Sequence, residues 1–120
     1  MSAVTIALTA AEAEAIARAN GTLNWISAGT FPWAFARSGE IKAQADVLRE
    51  ALDDYAGLTS TPPSIHPATL FPDLGHHQDN AMETALDWVT RDIRAETREL
   101  EVLARAAEEA FRAREEGRAA

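Results

Sequence analysis

Cysteine is absent from this chain of 120 residues. Its absence excludes a disulfide framework, a thiolate metal site and a cysteine nucleophile. No run of 18 apolar residues occurs, so we expect no membrane span. The N-terminus also lacks the charged-then-apolar pattern of a signal peptide. These absences favour a cytoplasmic protein.

Positive charge is scarce. Eleven basic residues face nineteen acidic ones, the net charge is −8, and Lys42 is the single lysine. This balance argues against a protein that coats DNA, RNA or an anionic membrane. It does not exclude a local cluster of arginines, and the length predicts one domain over residues 1–120.

Proline and glycine are few and unevenly placed, which leaves a long uninterrupted stretch near the C-terminus. Asn80 as N-cap and Glu83 as its capping-box partner predict a helix over residues 80–114. Such a helix is about 50 Å long, whereas a chain of this length has an expected radius of gyration of about 14 Å. Its last turns should therefore project from the body or pack on another chain, and residues 115–120 should fray. The apolar stripe that predicts this helix comprises Met82, Leu86, Val89, Ile93, Thr97, Leu100, Ala104, Ala107 and Phe111.

A second helix is predicted over residues 39–56, with Ser38 as its N-cap and Gly57 just after its end. Its apolar stripe comprises Ile41, Ala45, Leu48, Leu52 and Tyr55. The segment 58–78 holds four of the five prolines and is predicted to be a loop packed by its own apolar side chains. The two helices then form an antiparallel hairpin.

The N-terminal part predicts a short helix. Thr9 and Glu12 form a capping-box pattern, and Asn20-Gly21 is a typical helix exit. Thr22 is then placed to begin a further turn, and residues 4–8 suit a short strand or an extended lead-in. The predicted fold class is all-α: an antiparallel helical hairpin with a short N-terminal helix and a long C-terminal helix, oligomeric through apolar helix faces.

The three histidines lie in or at the end of the Pro-rich loop, at His66, His76 and His77. Histidine with nearby carboxylates is suitable ligand chemistry for zinc, but the spacing matches no defined zinc motif. Adjacent histidines in an extended segment also point in opposite directions. We expect no metal, no cofactor and no catalytic residue, with a metal-dependent enzyme as the third hypothesis.

Arginines recur every seven residues along the long helix, at Arg91, Arg98, Arg105 and Arg112, with Arg94 beside them. Three of these five have a carboxylate four residues earlier and are explained as helix-stabilising pairs. Arg94 and Arg98 lack that carboxylate, so they are the better donors for a phosphate. The aromatic segment 31–35 is either a hydrophobic plug or a stacking platform for a flat ligand.

Three segments together resemble a known family. They are Phe31-Pro32-Trp33, Thr61-Pro62-Pro63-Ser64, and a Glu-x-Ala-x-x-Trp-x-x-x-x-Ile pattern from Glu83 to Ile93. Over roughly residues 31–94 the chain is similar to small phage helical-hairpin proteins called "sponges". These assemble into oligomers and sequester the cyclic di- and oligonucleotide signals of bacterial immunity, such as those of CBASS. The chain departs from them in extra residues between Ser64 and Met82, in both terminal extensions, and in Thr90, where an Asn is expected.

The resemblance implies a non-enzymatic anti-defence protein of the bacterial host cytoplasm that binds a cyclic nucleotide. The residues implied for its ligand are Trp33 for stacking, Arg37, Lys42, Arg91 and Arg94 for phosphates, and Ser64 and Thr90 for hydroxyl contacts. The alternative is a helical assembly or regulatory factor whose long C-terminal helix pairs with a partner protein. Convergence of these side chains in one cavity would favour the first hypothesis, and scatter would favour the second.

Overall fold

The computed structural model describes residues 9–28, 38–76 and 80–119. Within them lie four α-helices and one short 3₁₀ turn, and no strand occurs in these ranges. The helices are α1 (Ala10–Ser27), α2 (Ser38–Thr59), α3 (Pro67–Leu70) and α4 (Ala81–Ala119), with the 3₁₀ turn at Pro72–His76. The all-α prediction and the long C-terminal helix are confirmed. Residues 4–8 and the aromatic segment 31–35 lie outside the described residues.

Helix α1 begins as predicted but does not end as predicted. The backbone N–H of Glu12 donates to Thr9 Oγ1 at 3.1 Å, and that of Thr9 donates to Glu12 Oε2 at 3.4 Å, so the capping box is present. The predicted exit at Asn20-Gly21 is wrong, because the helix continues to Ser27. Burial of Leu23 and Ile26 in the core outweighs the cost of about 1 kcal/mol for a glycine inside a helix.

Helix α2 also passes the glycine that was predicted to end it. Gly57 is buried and helical, and its carbonyl accepts hydrogen bonds from Ser64 N at 3.0 Å and Ser60 Oγ at 2.9 Å. The chain therefore turns back over Gly57 instead of leaving at it. Ser38, predicted as the N-cap, is already the first helical residue.

The helix directions follow from the contacts between helices. Arg94 donates to the Ala11 carbonyl and Arg18 donates to Glu101, and both pairs are 83 residues apart, so α1 and α4 run parallel. Gln44 of α2 donates to the Glu96 carbonyl of α4. Ten residues later on α2, Asp54 lies close enough to Asp92 of α4 for the charge of Asp92 to raise the pKa of Asp54. The residue with the higher number on α2 lies beside the residue with the lower number on α4, so α2 and α4 are antiparallel.

The core lies along the predicted stripe of α4. Leu86, Val89, Ile93, Leu100 and Ala104 are buried there, as the spacing of apolar residues predicted. The molecule is elongated, with a radius of gyration of 18.1 Å and a longest dimension of 68 Å. The cause is α4, whose 39 residues span about 58 Å and continue beyond the predicted end at Arg114.

The segment between α2 and α4 is packed, as predicted, but the predicted loop 58–78 is wrong in part, because α3 and the 3₁₀ turn lie within it. Leu74 is fully buried, and the ring of Phe71 meets that of Trp88 edge-on with centroids 5.1 Å apart. The ring contact holds the connecting segment against the first turns of α4. Among the helices described, none has the length and apolar character needed to cross a membrane.

Candidate functional site: an arginine-lined groove

The seam between α1 and α4 collects most of the arginines in the described residues. Because α4 turns its apolar stripe to the core, the arginines at seven-residue intervals emerge beside α1. Three shallow grooves follow one another along this seam, and they differ in the charge of their lining.

The middle groove, called here the arginine groove, has a volume of about 450 Å³. Its lining comprises Glu14, Ala15, Arg18, Arg94, Ala95, Thr97 and Arg98. Three arginines against one glutamate give this lining a formal charge of +2, in a chain whose net charge is −8. The arrangement is suited to an anion with several oxygens, since guanidinium groups bind phosphate through paired N–H donors.

The three arginines differ in how they are held. Arg18 is fixed by Glu101, which accepts from its Nε at 2.8 Å and from its Nη2 at 3.2 Å. The hydrogen bond and charge of Glu101 raise the pKa of Arg18, so the guanidinium stays charged. Arg94 donates to the Ala11 carbonyl at 3.3 Å. Arg98 is exposed and makes no ion pair with any described residue.

The two flanking grooves carry no positive excess. The groove beside the N-terminal end of α4, of about 600 Å³, sets Arg91 and Arg94 against Glu12, Glu83 and Asp87. The groove beside the end of α1, of about 580 Å³, sets three arginines against three glutamates. Its lining includes Trp25 and also Arg18, which is shared with the arginine groove.

The ion pairs predicted along α4 are present. Arg91 pairs with Asp87 at 3.1 Å, Arg105 with Glu101 at 3.8 Å, and Arg112 with Glu108 at 2.9 Å. Arg94 and Arg98 have no such carboxylate, as the spacing predicted. They are therefore the α4 arginines with the most donor capacity for a ligand.

The structure brings together three of the seven predicted ligand residues, and they share the groove at the start of α4. Arg91 is paired there with Asp87, and Thr90 is buried with its hydroxyl donating to the Leu86 carbonyl at 2.7 Å. Arg94 lies at the border of this groove and the arginine groove.

Of the other four predicted ligand residues, the two that the structure describes lie away from this seam. Lys42 is exposed on α2, and Ser64 is exposed in the turn after α2, where its N–H donates to the Gly57 carbonyl. Trp33 and Arg37 lie outside the described residues. The side chains that can be located are thus divided between separate surfaces.

Arg18 is the residue that sequence reasoning missed. It lies on a helix that was predicted to be short, and its carboxylate partner is 83 residues away. A contact between residues so far apart leaves no pattern in the sequence. It becomes visible only when α1 is seen to pack parallel to α4.

The structure shows a role for one of the three histidines. His66 is the N-cap of α3, where its Nδ1 accepts from the Ala68 N–H at 3.1 Å. The side chains of His76 and His77 are outside the description. Among the residues described, no three histidine or carboxylate side chains group together as metal ligands do.

The seam on the other side of α4, between α4 and α2, is acidic. Partial burial, followed by the charges of Glu50, Asp53 and Asp92, raises the pKa of Asp54. Partial burial and the charge of Glu96 likewise raise the pKa of Asp92. The seam between α2 and α4 is therefore acidic, whereas the seam between α1 and α4 has a positive excess only at the arginine groove.

No protein-family model, curated protein or solved structure matches the chain.

Proposed function

We propose that this protein is a non-enzymatic binder of a small phosphate-bearing ligand, which it holds at the arginine groove. The observation that carries the proposal is the +2 lining formed by Arg18, Arg94, Arg98 and Glu14 in a strongly acidic chain. A groove of about 450 Å³ also falls in the size range of small-molecule sites.

The ligand class follows from the resemblance to phage sponges and is a cyclic di- or oligonucleotide. Such a ligand presents at least two phosphates and two base faces. Arg18, Arg94 and Arg98 would bind the phosphates, and Trp25, at the adjoining groove, offers a ring for stacking. Sequestration of an immune signal in the cytoplasm of a bacterial host is the role that this binding would serve.

Sequestration requires affinity and no chemistry. A binder needs no nucleophile, general base or metal, and tight association alone lowers the concentration of the signal. The side chains in the arginine groove can donate hydrogen bonds and supply charge, which is what such a role asks of them.

Thermal melting against a panel of cyclic di- and trinucleotides tests the proposal. A ligand at 100 times its Kd adds about 2.7 kcal/mol to folding, enough to raise Tm by several degrees. We expect one or two panel members to do so, and we expect Arg94→Gln and Arg98→Gln each to remove most of the shift. Arg49→Gln is the matched control, because Arg49 is an exposed arginine on α2 that pairs with Asp46.

A flat panel at millimolar ligand would refute the binder and favour the alternative, a helical factor that recruits a partner protein. A shift that survives both groove substitutions but disappears with Lys42→Gln would move the site to the α2 surface predicted from the resemblance.

A further inference from the structure

Glu14 is the only carboxylate among the described residues that line the arginine groove. It stands four residues before Arg18, the spacing at which a glutamate and an arginine on one helix pair. Arg18 instead gives its Nε and Nη2 to Glu101 of α4. The hydrogen bond and charge of Glu101 are the main causes of the raised pKa of Arg18, and the charge of Glu14 is the smallest. Glu14 is therefore a nearby charge that makes no hydrogen bond or ion pair with a described residue.

The packing of α1 on α4 places this carboxylate among the cations of the groove. The hydrogen bonds that Arg94 and Arg18 make between the two helices both join residues 83 apart, so the helices stay in register along the groove. The backbone of Glu14 is thereby nearly level with that of Arg98. Arg94 and Arg18 each lie about one helical turn away along the groove. The groove therefore presents donors toward both ends and an acceptor in its middle.

A ligand that fills this groove has to satisfy both kinds of group. The arginines donate to phosphate oxygens, whereas an ionised carboxylate only accepts hydrogen bonds and repels phosphate. A cationic group on the ligand would suit Glu14, but the positive excess of the lining opposes it. The partner of Glu14 is therefore a neutral group with N–H or O–H donors, and two adjacent donors match its two oxygens best.

Guanine is the nucleic-acid base with that arrangement. Its Watson–Crick edge presents N1–H and the N2 amino group side by side, whereas adenine and cytosine each set an amino group beside an acceptor nitrogen. The small side chains of Ala15 and Ala95 in the lining leave room for a flat ring, on which a guanidinium group can stack. The groove thus has a place for a base as well as for phosphates.

We propose that Glu14 binds the Watson–Crick edge of a guanine base, so that the arginine groove selects guanine nucleotides over adenine nucleotides. The inference rests on the proposed function, because it assumes that the phosphates of the ligand bind at this groove. It adds the identity of the base, which phosphate binding alone leaves open. A bidentate contact to a base edge separates the right base from the wrong one by about tenfold or more.

Isothermal titration calorimetry with cyclic di-GMP and cyclic di-AMP tests the assignment. The two ligands have the same phosphates and sugars and differ only in their bases, so the ratio of their Kd values measures base selection. We expect the wild-type protein to bind cyclic di-GMP at least about tenfold more tightly. Glu14→Gln should abolish or reverse this preference, since an amide offers one acceptor and one donor, the combination that adenine matches.

Glu99→Gln is the matched control. It removes the same charge from an exposed position on α4 that lines none of the three grooves, so it should leave the ratio unchanged. Removal of either glutamate makes the chain less acidic, which favours both phosphate ligands alike. For this reason the ratio of the two Kd values, and not either value alone, is the readout. Circular dichroism checks that each variant keeps its helix content.

The outcomes separate this inference from the proposed function. Equal affinity of the wild-type protein for the two ligands, or a guanine preference that survives in Glu14→Gln, would overturn the inference and leave the phosphate site. An equal loss of affinity for both ligands in Glu14→Gln would assign Glu14 to a group that they share, such as a ribose hydroxyl, and would also overturn it. A wild-type protein that binds neither ligand overturns the inference, and a flat panel of cyclic nucleotides would refute the binder as well.

Discussion

A single carboxylate, that of Glu12, connects two helices. It accepts from the Thr9 backbone in the capping box and from the hydroxyl of the buried Tyr55 at 2.8 Å. Burial, and then the hydrogen bond to Glu12, raise the pKa of Tyr55, so the phenol stays protonated and remains a donor. The end of α2 is thereby tied to the start of α1.

Tyr55→Phe should lower the free energy of unfolding by about 1–2 kcal/mol, since a hydrogen bond to a charged group is lost while the ring stays in place. Urea unfolding followed by circular dichroism measures the change. Glu12→Gln combined with Tyr55→Phe completes a double-mutant cycle, in which the two losses should not add. Additive losses would show that the contact contributes nothing in solution.

At the scale of the element, α1 shows how packing overrides a local stop signal. Gly21 is in the middle of the helix, and a Cβ built on it meets nothing within 4 Å. Gly57 in α2 is the opposite case, because a Cβ there would come within 2.7 Å of Ile65 Cγ1 and still closer to its Cδ1. Packing against Ile65 therefore requires a glycine at position 57, whereas no such contact requires one at position 21.

Gly21→Ala should stabilise the protein by about 0.5–1 kcal/mol, because alanine is the better helix former and finds open space. Gly57→Ala is its matched control and should destabilise, since the clash with Ile65 exceeds the gain in helix propensity. Chemical denaturation of both variants measures the two signs. A stabilised Gly57→Ala variant would mean that the turn carrying Ile65 does not pack on α2 as described.

The three long helices were predictable, whereas α3, the 3₁₀ turn and the helix ends predicted at Gly21, Gly57 and Arg114 were not. The stripes of α2 and α4 report burial directly, because a helix must turn its apolar residues to the core. The ends at Gly21 and Gly57 were wrong because a glycine signals a helix exit only when no tertiary contact opposes it. Arg94 and Arg98 were recognisable by their missing carboxylates, but Arg18 joins them through a contact between distant helices.

At the scale of the whole molecule, the acidic seam between α2 and α4 makes the free energy of unfolding depend on pH. The raised pKa of Asp54 means that the folded chain binds this proton more tightly than the unfolded chain does. Its contribution therefore favours folding at low pH and is lost as the pH rises through the raised pKa.

Asp54→Asn should stabilise the protein at pH 7, and this advantage should shrink as the pH falls toward the ordinary aspartate range of about 4. Urea unfolding of both proteins across this window measures the difference. Asp46→Asn is the control, because Asp46 is exposed and pairs with Arg49 at 3.0 Å. A pH-independent difference between wild type and Asp54→Asn would contradict the acidic seam.

The parallel packing of α1 on α4 also fixes an order of events during synthesis. α2 can meet the first half of α4 soon after that half leaves the ribosome, but Arg18 must wait until Glu101, 83 residues later, has been made. At about 5–20 residues per second this wait is roughly 4–17 s. Until then Arg18 lacks its partner on α4, although Glu12 at the start of α1 can already meet Tyr55 of α2.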